Sequence, residues 1–179
     1  MINFIKRQIY LNESWIKPKT LLNLRWLAIV GQGVAIAVTN WVLGLTFNVE
    51  ACLTIILFSC IVNLTSYIYF RDERRLSALK TFLFLSFDLT QISLLLYFSG
   101  GITNPFSMLI IVPAIVSASS LPIVYLIALG IMTLFSILLL SFKYIPIIDG
   151  SGDVLKPPEI LLIGFSASLI ITVAFLGSY

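Results

Sequence analysis

The sequence predicts an all-α polytopic integral membrane protein, folded as a bundle of six transmembrane helices. Three observations predict it. The 179 residues are 59% hydrophobic and only 11% charged, against about 25% charged in a soluble domain. The mean hydropathy is +1.06, more apolar surface than a chain of this size can hide from water, so lipid must be its solvent. Apolar stretches recur through to the last residue, unlike the single short stretch of a secretory leader.

The spans follow from length, because a helix needs about 20 apolar residues to cross the hydrocarbon core. Residues 24–47 and 50–70 are the first two candidates. The charged stretch RDERRLSALK, 71–80, interrupts the pattern before the third, 81–98. Residues 105–142 then run without a charge. As one helix they would be about 57 Å long, nearly twice the hydrocarbon thickness. SASSLP, 117–122, is the break, since small polar residues followed by proline stop a helix. Spans four and five are therefore 105–120 and 122–142. KYIPIIDGSGDVLKPP, 143–158, has turn composition, and 159–179 is the sixth span. Residues 1–23 form a basic segment suited to the anionic inner leaflet.

Charge placement orients the bundle. Lys6, Arg7, Lys17, Lys19, Arg25, Arg71, Arg74, Arg75 and Lys80 are nine of the eleven basic residues; Lys143 and Lys156 are the others. Lys/Arg-rich short loops stay cytoplasmic, so both termini are expected inside and the 99–106 stretch outside.

That stretch, within SGGITNPFSM, separates spans three and four. Gly100 and Gly101 can adopt positive φ and end a helix. Asn104 is a good N-cap, and Pro105 is the favoured residue after it. Stop, turn, cap and start is one reading. The same geometry also suits a ligand: a helix N-terminus offers unpaired N–H groups, the Asn104 amide donates and accepts, and Tyr97, Phe98 and Phe106 bring aromatic faces. A flat apolar molecule with carbonyl oxygens fits that description.

Other polar residues have structural readings. Asp88 lies in the middle of span three, where a carboxylate costs roughly 2.5–3.5 kcal/mol on insertion scales. It is expected to face the bundle, either neutral and hydrogen-bonded or handling a proton. No basic residue stands at matching depth, so an ion pair is not expected. Gln91 shares its face. Gln32, Asn40 and Asn63 are expected to bridge helices, and Gly31 and Gly33 to allow close packing. Pro113 is expected to free the Leu109 carbonyl, by a packing accident or as part of a pocket. Cys52 and Cys60, roughly 12 Å apart along one helix, are too distant for a disulfide and read as small buried side chains. No histidine is present, and nothing reads as a metal cluster, a phosphate-binding loop or an activated nucleophile. Nucleic-acid binding is not expected, because basic flanks of this kind are what membrane orientation alone requires.

Gly100, Gly101, Ile102, Thr103, Asn104, Pro105 and Phe106 form Gly-Gly-x-x-Asn-Pro-Phe. This resembles the heptapeptide of RegB/PrrB-type redox-sensing histidine kinases, and LRWLAIVGQ, 24–32, resembles that family's first helix. In that family the heptapeptide lies between the third and fourth of six membrane helices and is implicated in ubiquinone sensing. The resemblance implies a multi-pass protein of the bacterial inner membrane that binds a quinone, ubiquinone or menaquinone. It implies Gly100, Gly101, Asn104, Pro105, Phe106, Phe98 and Asp88 as the quinone-contacting set. It further implies a homodimer that signals through the sixth helix to a kinase module and a cognate response regulator of a two-component phosphorelay. That module, with its phosphorylated histidine, is not within these 179 residues, which suits either a fragment or a stand-alone sensor. A small transporter or lipid-handling membrane enzyme is the alternative; transporters commonly show repeated halves and several intramembrane charges, and neither is evident here.

Overall fold

A computed structural model describes residues 17–70, 75–154 and 159–178, with the side chains of the last helix covered over 162–172. The basic positions Lys6, Arg7, Arg71, Arg74 and Lys156 lie outside the described residues.

The chain is helical, with only isolated bridges outside the helices among the described residues. Helix α1 spans Pro18–Ala37 and starts on a proline, whose missing N–H is no loss at that position. It therefore begins six residues before the apolar run. Its end is a π-helical turn, Val38–Val42, closed by the Leu43 N–H donating to Val38 O at 3.0 Å. Helix α2 spans Val49–Tyr69 and is capped by Asn48, whose Oδ1 accepts from the Ala51 N–H at 3.1 Å. Helix α3 spans Ala78–Phe98 and is capped by Ser77. Helix α5, Ile123–Phe142, and α6, Glu159–Ser178, complete the long elements.

The fourth span departs from a plain helix. After a 3₁₀ turn at Gly101–Thr103, Pro105–Ile111 is 3₁₀ and only Val112–Ala118, α4, is α-helical. Pro113 has no N–H to give Leu109 O, and the Val112 N–H takes that carbonyl instead with a tighter i→i+3 bond. The Leu109 carbonyl is thus paired, contrary to expectation. A 3₁₀ helix rises about 2.0 Å per residue against 1.5 Å for an α-helix. The fourteen residues Pro105–Ala118 thereby reach about 24 Å rather than 21 Å. The reversal before α5 falls at the expected place: Ser120 and Leu121 N–H groups both donate to Ser117 O, and Pro122 begins α5.

The surface is that of a protein in lipid. Leu27, Trp41, Phe135 and Phe142 stand 64–81% exposed. Inside, Leu85, Leu89, Leu96, Ile110, Leu129 and Leu140 form the apolar core. Buried polar side chains tie the helices together. Gln91 Nε2 donates to Gln32 Oε1 at 2.7 Å, joining α3 to α1; Asn63 Nδ2 donates to Leu22 O at 3.3 Å, joining α2 to α1. These two bridges match expectation. Asn40, half-buried in the π-helical turn, has no side-chain hydrogen bond among the described residues and so does not bridge. Gly31 and Gly33 are not packing notches either, since a Cβ on either would meet nothing within 4 Å. Both cysteines are free; Cys52 is buried and Cys60 only half-buried.

Three loops meet at one end of the bundle. Thr46 and Ile148 exchange backbone hydrogen bonds at 2.8 and 2.9 Å, and the Ile145 N–H donates to Tyr97 O at 2.8 Å. The α1–α2, α3–α4 and α5–α6 connections are therefore neighbours, as an alternating up-and-down bundle requires.

Candidate functional site

The loop after α3 is built by its own sequence. Gly100 and Gly101 sit at φ +102° and +60°, a region other L-residues rarely visit. Both are also packed too closely for a side chain. A Cβ on Gly100 would stand 2.7 Å from Ile147 Cδ1, and one on Gly101 2.8 Å from Leu140 O. The reversal aims Asn104 back at the end of α3. Asn104 Oδ1 accepts the Phe106 N–H at 2.8 Å, and its Nδ2 donates to Ser99 O and Ser99 Oγ at 2.7 and 2.8 Å. Ser107 Oγ donates to Asn104 O at 2.7 Å and to Ile102 O at 3.2 Å. Asn104 is 6% exposed, so its amide is a clasp across the loop with both ends engaged inside the protein.

A small pocket of about 50 Å³ opens beside this clasp, between α1, α2, α3 and the 3₁₀ stretch. Asn104 and Phe106 form one wall, Ile92 and Leu96 another, and Phe47 from the α1–α2 loop adds a second aromatic ring. Thr39, in the π-helical turn, and Gln32, two turns below it, supply polar groups. Their Thr39 hydroxyl and Gln32 Nε2 donate to no protein partner among the described residues. A π-turn at such a place is a frequent functional device. The wall is otherwise apolar, and the pocket offers ring faces beside two hydrogen-bond donors.

The other candidate residues lie elsewhere. Gly100 and Gly101 back the loop against Ile147 and Tyr144. Pro105 is exposed at the start of the 3₁₀ stretch. Phe98 packs edge-on to Tyr97 at 5.1 Å and does not line the pocket. Asp88 belongs to a second cavity, deeper in the bundle. Sequence reasoning missed Thr39 and Phe47, whose only signals were a hydroxyl in an apolar span and an aromatic before the α2 cap. Gln32 was legible as a helix bridge, not as a pocket wall.

The second cavity, about 70 Å³, holds Arg25, Asp88, Gln32, Gln91 and Ser59 against Pro113 of α4. Arg25 Nε donates to Asp88 Oδ1 at 2.8 Å, a buried ion pair. The expectation that Asp88 has no basic partner is thereby corrected. Because α1 starts at Pro18, Arg25 lies about 10 Å inside the helix rather than on its flank. Its guanidinium stands 5.2 and 5.0 Å from the Phe84 and Phe87 ring centres, favourable cation–π distances. Beside it, Ser59 Oγ donates to Gln91 Oε1 at 2.7 Å and Gln91 continues to Gln32. Gln32 thus touches both cavities. Among the described residues no group of three or more His, Cys, Asp or Glu could hold a metal.

Fold and site define a class: a multi-pass helical membrane protein with an intramembrane pocket behind its third-to-fourth helix loop. Comparison with known proteins narrows it. The chain is 35% identical, over 93% of its length, to Sensor histidine kinase RegB of Cereibacter sphaeroides, of which it covers 36%. It is 39% identical over 45% of its length to RegB from a named strain of the same species, of which it covers 17%. No family model matches and no solved structure matches. Over most of its length the chain resembles the RegB type of sensor histidine kinase, and it spans about a third of the length of the fuller RegB match.

Proposed function

We propose that this region binds a quinone, ubiquinone or menaquinone, in the pocket beside Gly100–Phe106 and reports its redox state to a cytoplasmic kinase. The observation that carries the proposal is the pairing of a Gly-Gly-x-x-Asn-Pro-Phe loop with an apolar pocket holding two aromatic rings and two unengaged donors, Gln32 Nε2 and the Thr39 hydroxyl. A quinone ring lies against Phe106 and Phe47, and its carbonyl oxygens take the two donors. The quinol donates hydrogen bonds as well as accepting them, so the two redox forms favour different arrangements of α1 and the 3₁₀ stretch. Only that difference in affinity can shift a conformational equilibrium. The shift travels through α6 to a kinase that acts as a homodimer on its response regulator. The 35% identity to RegB over most of this chain supports this direction. Gly100, Gly101 and Pro105 shape the pocket rather than touch the ring, while Phe98 and Asp88 act from outside it.

Thr39→Val tests the assignment, because valine keeps the volume and removes a hydroxyl that has no protein partner. Losing one hydrogen bond of about 0.5–1.5 kcal/mol weakens quinone binding roughly 2- to 12-fold. Phe106→Leu weakens it as well and leaves the start of the 3₁₀ stretch intact. Titration of purified protein with ubiquinone and menaquinone, at equal folded content, reads both variants. Unchanged affinity in both places the quinone elsewhere.

A further inference from the structure

The second cavity contains an unusual group. Arg25 is 4% exposed, and among the described residues its Nη1 and Nη2 have no hydrogen-bond partner, while Nε is held by Asp88. Buried guanidinium nitrogens without partners are costly, and the two Nη groups of arginine form a fork that matches a carboxylate. Apart from Gln32, Ser59 and Gln91, the remaining walls are apolar, among them Leu24, Leu85, Val112 and Val116. The ionisable groups facing the cavity are Arg25 of α1 and Asp88 of α3; α2 contributes Ser59, and α4 contributes Val112, Pro113 and Val116.

We propose that this cavity binds a long-chain carboxylic acid from the membrane, with its head on the Arg25 fork and its chain against α4. The charge balance fixes how the acid enters. Arg25 and Asp88 together are neutral, and a further negative charge in a low-dielectric site would stand uncompensated. The acid therefore arrives protonated. Its O–H bond breaks and the proton forms a new O–H bond on Asp88. The resulting carboxylate takes bidentate hydrogen bonds from Nη1 and Nη2. Neutral Asp88 still accepts the Nε–H through its carbonyl oxygen. No net charge crosses the lipid. Gln32, shared by both cavities, gives the occupied site a direct contact with the quinone pocket, although the proposal does not depend on quinone binding.

The test uses the full chain in phosphatidylcholine nanodiscs with a dodecanoic acid carrying a terminal diazirine. After irradiation, mass spectrometry maps the labelled residues. The acid is expected to label the Arg25 cavity saturably, at residues such as Leu24 and Val116, with unlabelled dodecanoate competing and its methyl ester failing to compete. Arg25→Lys keeps the charge and loses the fork, and should cut labelling at least about tenfold. The double variant Arg25→Gln with Asp88→Asn removes both charges together, leaving no lone buried ion, and should lose labelling at unchanged helical content. Non-saturable labelling spread over lipid-facing residues overturns the proposal. So does equal competition by the methyl ester, which makes the site a carbonyl site, or equal labelling in both variants. Thr39→Val leaves this readout unchanged, so the two sites succeed or fail separately.

Discussion

Asn104 shows how one side chain can read correctly and still mislead. Its capping role is legible in the sequence, because Asn followed by Pro is a helix start, and Oδ1 does accept the Phe106 N–H. The other half of the amide reaches back five residues to Ser99. That reach exists only because Gly100 and Gly101 both take positive φ, a conformation that no local propensity dictates. Asn104→Ser keeps a cap of similar quality but loses both Ser99 bonds. It should destabilise the protein by about 1–3 kcal/mol, seen as a lower unfolding temperature in bilayer nanodiscs. A wild-type melting curve would make the clasp dispensable. Gly101→Ala meets both a disfavoured φ and the Leu140 carbonyl, and should cost at least about 1–3 kcal/mol. Gly31→Ala, with open space around it, should be neutral or gain up to about 1 kcal/mol of helix propensity. The contrast between these two glycines, invisible in the sequence, is one measurement on the same apparatus.

At the scale of the element, helix identity was readable from apolar length, but two boundaries were not. The start of α1 was placed at residue 24 by hydropathy, while the backbone begins at Pro18. That difference carried Arg25 into the membrane and hid its pairing with Asp88. Hydropathy scores a charged residue as a flank; it cannot see a partner 63 positions away. The fourth span is the second case. Pro113 was legible as a perturbation, yet its result is a 3₁₀ stretch starting at Pro105 and not a kink with a free carbonyl. Runs of 3₁₀ beyond three or four residues are uncommon and often mark hinges, and this one carries Phe106 and Leu109 into the pocket wall. Pro113→Ala restores a donor to Leu109 O and should let Pro105–Ile111 relax to α-helix. The span then shortens by roughly 3–4 Å. Spin labels at the exposed positions Met108 and Ser119, which bracket only the last four residues of the 3₁₀ stretch, should come closer by about 2 Å in pulsed dipolar spectroscopy. An unchanged distance would mean that tertiary contacts, and not the missing N–H, hold the 3₁₀ geometry.

For the whole molecule, the loops and the charges constrain topology from independent directions. Backbone pairing of Thr46 with Ile148, and of Ile145 with Tyr97, brings the α1–α2, α3–α4 and α5–α6 connections together. In lipid this arrangement means they share one membrane face. Contacts establish alternation but not which face it is. With Arg25 moved inside the bundle, the described basic residues at the other face are Lys17, Lys19, Arg75 and Lys80, against Lys143 on the loop face. The bias is still four to one, and short basic loops are held on the cytoplasmic side. The expectation is therefore that the loop cluster faces the periplasm and both chain ends the cytoplasm. Alkaline phosphatase, active only outside the cytoplasm, should be active when fused after Gly101 and inactive after Tyr179. A green fluorescent protein fused at the same two points should show the reverse. The loop contacts add a control that charge alone could not supply: a phosphatase fusion after Asp149 must agree with the one after Gly101, because the two loops touch. Activity after Tyr179 would remove the six-span arrangement. Disagreement between Asp149 and Gly101 would instead break the alternation, and with it the pocket that α1, α3 and the loop share.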